Sequence, residues 1–360
     1  MNHFSEPSNE NISTVGVKEI ARLANVSLAT VDRVLHNRTG VSEATRNKVQ
    51  KIIQRLNYRP NIMARRLASG KVYRFAALIP SVSQETDFWQ APLSGINRAE
   101  SELGQYGIKI ERFLFDMNDR QSFVTQGELI LDSEIDGVLL APSFIEESIQ
   151  FTNACDSLGI PYVFIDSDIP TQKSLSYIGP QLFKSGYLAG SLARLCQAGR
   201  GKILVVSIAK GIDHQHYAVR KEEGFRRYFE DQNLPVNIID ENIEETSHAA
   251  VEERLRQTFT RHPDITTIFV TNSRVFFVAR FLEKQNINGV HVIGYDYIRE
   301  NIDYLTKGRI SFLICQKPEE QGYRGIMALY HHLILKIPIP NIEYMPIDII
   351  TKENYEFYRN

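Results

Sequence analysis

The sequence predicts two kinds of structure in one chain. A small all-α module comes first, followed by an α/β body of two Rossmann-like lobes, each built on a parallel sheet. Three observations carry this. Residues 15–58 show helical periodicity in three short pieces, and a fourth, Asn61–Gly70, follows Pro60. From Phe75 onward, short apolar runs alternate with amphipathic helical stretches. Strand, helix, strand in that order implies a parallel sheet with helices on both faces. Finally, nine such apolar runs in a 360-residue chain are too many for one comfortable sheet, so the body divides into two successive lobes.

The elements follow in order. The apolar runs are 75–80, 109–115, 136–142, 161–166, 202–207, 236–240, 267–271, 291–296 and 310–316. Amphipathic stretches between them include Pro92–Tyr106, Gln121–Ser133, Leu182–Cys196, Ala218–Gln232, His248–His262 and Arg274–Gln285. The expected organisation is a disordered leader over 1–14, a helical module over 15–59, a short helix and linker over 60–72, and the body over 73–360. In a sheet of this kind a ligand sits at the carboxyl ends of the strands, here between the lobes.

Composition narrows the class. Hydrophobic residues make up 43% and charged residues 23%, as in ordinary soluble globular proteins. No apolar run approaches the roughly 20 residues of a membrane helix. The polar opening MNHFSEPSNENIST has no apolar h-region, so no secretory signal is expected and the reading is cytoplasmic, without membrane attachment. Cys155, Cys196 and Cys315 stand far apart, in neither a metal nor a disulfide pattern. The motifs GxGxxG, GxxxxGKS/T, GxSxG, HExxH and CxxC are absent, so no enzyme, cofactor or metal is expected. The net charge of −2 hides an asymmetry. Between Val15 and Arg74, 13 Lys and Arg face 3 Asp and Glu, a balance of +10. The remainder carries 28 basic and 40 acidic residues, a balance of −12. A basic module on an acidic body is the footprint of a module that meets phosphate, although a merely solvated basic face gives the same count.

Within that module, Ile20, Ala21, Leu23 and Ala24 form an apolar face, and Asn25 stands where the chain must turn. Asn tolerates a left-handed backbone better than most residues. Ser27 then caps a second helix whose Val31, Val34 and Leu35 face inward. Leu28, Ala29, Thr30 and Arg33 are left pointing outward, which is how a helix-turn-helix addresses the major groove. Arg33 suits a bidentate contact to guanine, while Ser27 and Thr30 suit phosphate. Ser42 caps a third helix whose Val49, Ile52, Ile53 and Leu56 close the core. A plain three-helix packing unit is the alternative.

These residues resemble the lactose-repressor (LacI-type) family of bacterial regulators. The match runs through Val17–Ala21, Ala24–Ser27, Thr30–Asn37, Val41-Ser42, Thr45-Arg46, Leu56–Tyr58, Pro60-Asn61 and Ala64–Ala68. Asp32 departs from the family's usual Ser. Leu28 and Ala29 are apolar where many relatives are polar, which suits thymine methyls. The resemblance implies further DNA contacts by Asn37 and by Asn61, Ala64 and Leu67. In the family the last three belong to a hinge helix that enters the minor groove and wedges a Leu into a base step. Without it, Leu67 is simply an apolar linker residue.

Over residues 75–350 the body resembles the type I periplasmic-binding-protein fold, nearer to ribose-type sugar binders than to purine binders. The resemblance implies a sugar site made of Phe88, Trp89, Arg220, Asn272, Asp296 and Gln316. The chemistry suits sugar hydroxyls: carboxylates accept, amides both donate and accept, Arg donates in a fork, and aromatic rings cover C–H faces. Each residue also has a structural alternative. Asp296 can cap a helix, Asn272 can serve a turn, Trp89 can be core, and Arg220 can be a surface charge. Arg220 falls four residues before Gly224 where three is expected, so Lys221 is its rival. Thr86 replaces an Asn, and Pro180-Gln181 replaces an expected Asp. His214 and His216 stand near enough in sequence to touch an acidic or phosphorylated ligand. The expected protein is a regulator, most simply a repressor of carbohydrate genes. It would be a homodimer on pseudo-palindromic double-stranded operator DNA, controlled by a sugar or sugar derivative. The alternative is a solute-binding protein for transport or chemotaxis.

Overall fold

The computed structural model describes residues 17–35, 37–56, 58, 71–83, 86–196, 201–210 and 215–360. The expected leader, the short helix Asn61–Ala68 with Asn61, Ala64 and Leu67, and His214 lie outside them. The chain divides into two compact units, Met1–Ser69 and Gly70–Asn360.

In the first unit, α1 (Val17–Ala24), α2 (Leu28–Leu35) and α3 (Glu43–Arg55) enclose a small core. Ile20, Ala24, Val31, Val34, Val49 and Ile52 fill it. Asn25 makes the expected left-handed turn at φ 52, and Val26 N donates to Ala21 O at 3.0 Å. Ser27 Oγ accepts from Thr30 N at 3.1 Å, capping α2. Ser42 accepts from Thr45 N and caps α3 in the same way.

The second unit holds two six-stranded sheets. The first lobe contains β1 (Tyr73–Pro80), β2 (Ile108–Phe115), β3 (Gly137–Leu140), β4 (Tyr162–Ile165), β5 (Ser176–Gly179) and β11 (Ile342–Tyr344), in the order β11-β5-β4-β3-β1-β2. The second contains β6 (Lys202–Ile208), β7 (Ile238–Ile243), β8 (Ile265–Val270), β9 (His291–Tyr295), β10 (Phe312–Cys315) and β12 (Asp348–Ile350), in the order β12-β10-β9-β8-β6-β7. All neighbours are parallel except β12, which runs antiparallel to β10. Nine of these strands coincide with the nine apolar runs. The other three, β5, β11 and β12, are three or four residues long. Runs that short, interrupted by Ser, Gly, Glu or Asp, carry no periodicity to read.

The chain crosses between lobes three times: from β5 to β6, after β10, and from β11 to β12. Helices α4 (Gln90–Leu103) and α12 (Pro318–Tyr330) pair in the first lobe, and α7 (Leu182–Cys196) and α8 (Gln215–Asp231) pair in the second. Both pairs meet backbone to backbone through glycine. A Cβ on Gly95 would lie 1.9 Å from Glu319 O, and one on Gly322 would lie 2.1 Å from Pro92 O. In the second lobe, a Cβ on Gly186 would lie 1.8 Å from Lys221 O, and one on Gly224 would lie 1.9 Å from Phe183 O. No methyl fits such gaps, and the obstacle is rigid backbone.

This geometry sets a test. Gly186→Ala must separate α7 from α8, and overpacking of this kind costs about 1–3 kcal/mol. Gly104→Ala is the control, because a Cβ there has nothing within 4 Å. Urea denaturation should lower the midpoint for Gly186→Ala and leave Gly104→Ala unchanged or slightly raised.

Candidate functional site

Among the described residues, the candidate side chains gather on two surfaces. The first lies on α2. Leu28 is 49% exposed there. Ser27, Ala29, Arg33 and Asn37 are also exposed, and Thr30 is half-buried. The Thr30 hydroxyl is 2.9 Å from Ser27 Oγ, so these two side chains are tied to each other. Asn37, at φ 49, accepts from Arg46 Nη1 at 2.8 Å, which fixes the turn after α2. Asp32 pairs with Arg38 at 3.1 Å. The cationic Arg33 therefore stands on an exposed helix face beside Leu28 and Ala29.

The second surface is a cleft at the carboxyl ends of the strands, lined from both lobes. Phe88, Trp89, Asn272, Asp296 and Gln316 all line it. Arg220 does not; its side chain is 43% exposed and pairs with Glu223 at 3.6 Å. Lys221, the rival, does line the cleft and is only 6% exposed. One residue along a helix is a rotation of about 100°, enough to exchange outward for inward. Lys221 Nζ donates to Thr271 O at 3.2 Å and lies 3.7 Å above the Tyr295 ring. The Gly186 contact with the Lys221 carbonyl fixes this part of α8.

The cleft also holds residues not foreseen as ligand contacts, among them Asp166, Arg274 and Ser273. Asp166 follows β4, at the strand end where the topology places ligands. Arg274 follows Asn272 by two, and its Nη1 donates to Ile208 O at 2.8 Å. Ser273, between them, lies 3.3 Å from the Thr86 hydroxyl across the lobes. Asp166 and Asp296 both take left-handed backbones, with φ 67 and φ 74. Strain of this kind in non-glycine residues collects at functional sites.

The structure also decides among the alternatives. Asp296 does not cap the helix after β9, whose N-cap Ile298 has no side-chain cap. Asn301 Nδ2 instead gathers the carbonyls of Ser273, Tyr295 and Asp296 at 2.9, 2.9 and 3.1 Å. Asn272 lines the cleft and also holds the backbone: Nδ2 donates to Ile208 O at 2.8 Å, and Oδ1 accepts from Arg274 N at 3.1 Å. Trp89 is 3% exposed, and its indole N–H meets Met117 Sδ at 3.1 Å. Phe88 meets Trp89 edge-on at 5.2 Å and packs against the core of the second lobe, so the aromatic segment spans the cleft. Gln316 is 4% exposed and its Nε2 has no partner, a buried donor facing the cleft.

The charges interact. Burial pushes the Lys221 ammonium below its usual range, opposed by Asp296 and Asp166. Burial raises the Asp296 carboxyl to about 7, with Asp166 adding to the rise and Lys221 opposing it. Asp166 is raised by burial as well. An ammonium, a guanidinium, two carboxylates and an amide thus converge beside two aromatic rings. That set matches a compact, polyhydroxylated ligand with an apolar face.

Comparison with known proteins accords with both surfaces. The family of bacterial regulatory proteins of the lacI type matches residues 16–61, and the periplasmic binding protein domain matches residues 76–336. The chain belongs to the lacI family, with a periplasmic-binding-protein body. Catabolite control protein A of Staphylococcus epidermidis is 30% identical to this lacI-family chain over 155 residues, 43% of this chain and 45% of that protein. The match therefore spans less than half the length of that relative. A crystal structure assigned as a LacI transcriptional regulator from Bacteroides fragilis superposes with TM-score 0.74 and 31% identity. It covers 80% of this chain and 100% of that one. GanP, a glucose-galactose binding protein from Geobacillus stearothermophilus, has TM-score 0.70 at 21% identity. It covers 79% of this chain and 99% of that one, and shares the fold.

The Asp296 shift sets a pH test. A carboxyl raised in the folded state binds its proton more tightly there than in the unfolded chain. Its stabilising contribution is full below the ordinary carboxyl value of 3.8 and is lost as pH rises through about 7. Asp296→Asn does not titrate. Thermal melts from pH 5 to 8 should show the variant gaining on the native protein as pH rises. Parallel curves would place the Asp296 carboxyl at an ordinary value.

Proposed function

We propose that this chain is a DNA-binding transcription regulator whose operator affinity is set by a monosaccharide or monosaccharide derivative held in the cleft. The observation that carries the reading is the pairing, on one chain, of two unsatisfied surfaces. One is the exposed Leu28–Arg33 face of α2 on a basic module. The other is a cleft with buried polar groups unused by the fold. A solute-binding protein for transport would need the cleft but not the basic module, so the regulator is preferred.

In this reading α2 enters the major groove. Arg33 reads a base edge, Leu28 and Ala29 meet apolar base edges, and Ser27, Thr30 and Asn37 lie near the backbone. Asn61, Ala64 and Leu67 take the minor groove. A helix-turn-helix of this kind reads half-sites related by a two-fold axis, so the working form is a homodimer on a pseudo-palindromic operator in the cytoplasm. Asp296 and Asp166 accept ligand hydroxyls from the two lobes. Lys221, in place of Arg220, donates from the second lobe, and Gln316 donates from the crossing between them. Phe88 and Trp89 cover the C–H face of the sugar. The cleft acts by binding, and its output is the difference in ligand affinity between two conformations. Carbohydrate genes are the natural target, and repression is the simplest sign of control.

The experiment pairs two titrations. Trp89 is the single tryptophan of the chain, so quenching of its fluorescence reports the cleft alone. A panel of monosaccharides including D-glucose and D-galactose is titrated first, then operator DNA by anisotropy with and without the best ligand. Saturating ligand should shift operator affinity by about 1–3 kcal/mol. Asp296→Asn should weaken the ligand by about 1.5–3 kcal/mol, the range for hydrogen bonds to charged groups, and barely alter ligand-free operator binding. Lys221→Met should also weaken it, while Arg220→Ala should not. Equal effects of these last two would return Arg220 to the site.

For DNA, Arg33→Ala should cost about 1–3 kcal/mol on operator and relax specificity, with a smaller loss on random DNA. Equal losses on both would reduce Arg33 to a phosphate contact.

A further inference from the structure

The second crossing between the lobes, Gln316 to Pro318, is where the cleft meets the hinge. Its middle residue, Lys317, has φ 54 and ψ 55. A side chain with a Cβ adopts this left-handed conformation only when its surroundings over-determine it. Here they do. Lys317 Nζ is 3.2 Å from Asp348 Oδ2, donates to the carbonyl of Arg359, and lies 4.1 Å above the Tyr358 ring. Asp348 opens β12, just past the third crossing. Tyr358 is buried and tilts against Tyr297 at 5.0 Å, and the Tyr297 hydroxyl donates to Tyr355 O at 3.2 Å. One ammonium therefore ties the second crossing to the end of the third and to the segment Tyr355–Arg359.

The other side of the crossing is held as well. Gln321 Nε2, from α12, donates to Gln316 O at 2.8 Å, and its Oε1 accepts from Asp166 N at 2.9 Å. Between these two restraints the Gln316 side chain enters the cleft with its Nε2 unpartnered.

We propose that Lys317 is a positioning residue. Clamped by Asp348, the Tyr358 ring and the Arg359 carbonyl, it holds the crossing so that Gln316 faces the ligand and the lobes close at the angle the ligand requires. The ligand clause rests on the reading of the cleft as the sugar site; the clamp itself does not. The partners are a carboxylate, a carbonyl and the face of an aromatic ring, and all three select a cation. The alkyl stem alone satisfies none of them.

The test compares the full chain with Lys317→Met, which keeps the stem, and Lys317→Arg, which keeps the cation. Hydrogen exchange is followed in peptides covering 310–322, 351–360 and 73–80, and the monosaccharide panel is titrated on Trp89 fluorescence. In Lys317→Met, exchange should rise in the first two peptides and stay unchanged in 73–80. Sugar affinity should fall by up to roughly tenfold, the scale of the one neutral hydrogen bond that a misplaced Gln316 amide loses. Lys317→Arg should restore both. Unchanged exchange in 310–322 and 351–360, or a uniform rise across all three peptides, overturns the clamp. Raised exchange with unchanged sugar affinity overturns the positioning role. If no monosaccharide quenches Trp89 in the native protein, the cleft reading fails, and the exchange pattern alone judges the clamp.

Discussion

The cleft depends on two places where helices touch through bare backbone. Gly95 and Gly322 let α4 and α12 meet in one lobe, and Gly186 and Gly224 let α7 and α8 meet in the other. In the first lobe both helices of the pair start beside the cleft. Trp89 immediately precedes α4, and Gln316 stands two residues before α12. Lys221 lies on α8, and its own carbonyl is the atom that Gly186 approaches. Of the cleft side chains, Lys221 is thus carried by a helix whose spacing is set by the smallest contact two helices can make, and Trp89 and Gln316 stand just before two others. Interiors so closely packed transmit displacement rather than absorb it, and a shift at either pair reaches the cleft.

Much of this was legible in the sequence because it rests on periodicity and on the ends of strands. The three helices of the first unit, their caps at Ser27 and Ser42, the turn at Asn25 and nine of the strands all carry local signals. Asp296 and Gln316, named at or just past strand ends, do line the cleft. Asp166 obeys the same rule and was passed over, since it closed an apolar run and read as the end of a strand. Arg220 misled for a different reason. Sequence spacing names a neighbourhood, but the rotation of a helix chooses between adjacent residues, and that rotation is set here by the Gly186 contact. The short strands β5, β11 and β12 had no signal of their own; they pair because a neighbouring strand already offers an edge.

Asn272 shows the limit of reading chemistry from residue type. Its amide is as able to hold a sugar as that of Gln316. In the fold, one of its N–H donors is used on Ile208 O and one acceptor site on Arg274 N, so it shapes the cleft as well as lining it. Gln316 keeps a donor unspent. Buried polar groups are nearly always satisfied, so an orphaned donor that faces a cavity marks a ligand more clearly than a familiar residue type does.

The protonation of the cleft bears on regulation. Two carboxylates and one ammonium share the cleft, and each stabilises or suppresses the charge of the others. A ligand hydroxyl that donates to Asp296 favours its ionised form, so binding releases a proton wherever the free carboxyl still holds one. Near neutral pH the Asp296 carboxyl is divided between its two forms, and ligand affinity should therefore fall as pH drops below about 7. The same proton stabilises the ligand-free protein. Acidification thus works on both sides of one equilibrium: it strengthens the empty state and weakens the filled one. If ligand and operator are linked through the body, reciprocity requires that operator affinity measured at fixed subsaturating ligand follow pH with the same midpoint. Without ligand, that midpoint should vanish from the operator titration. A pH effect that persisted in ligand-free protein would instead belong to the charges of the DNA-binding unit, and the cleft would have no part in it.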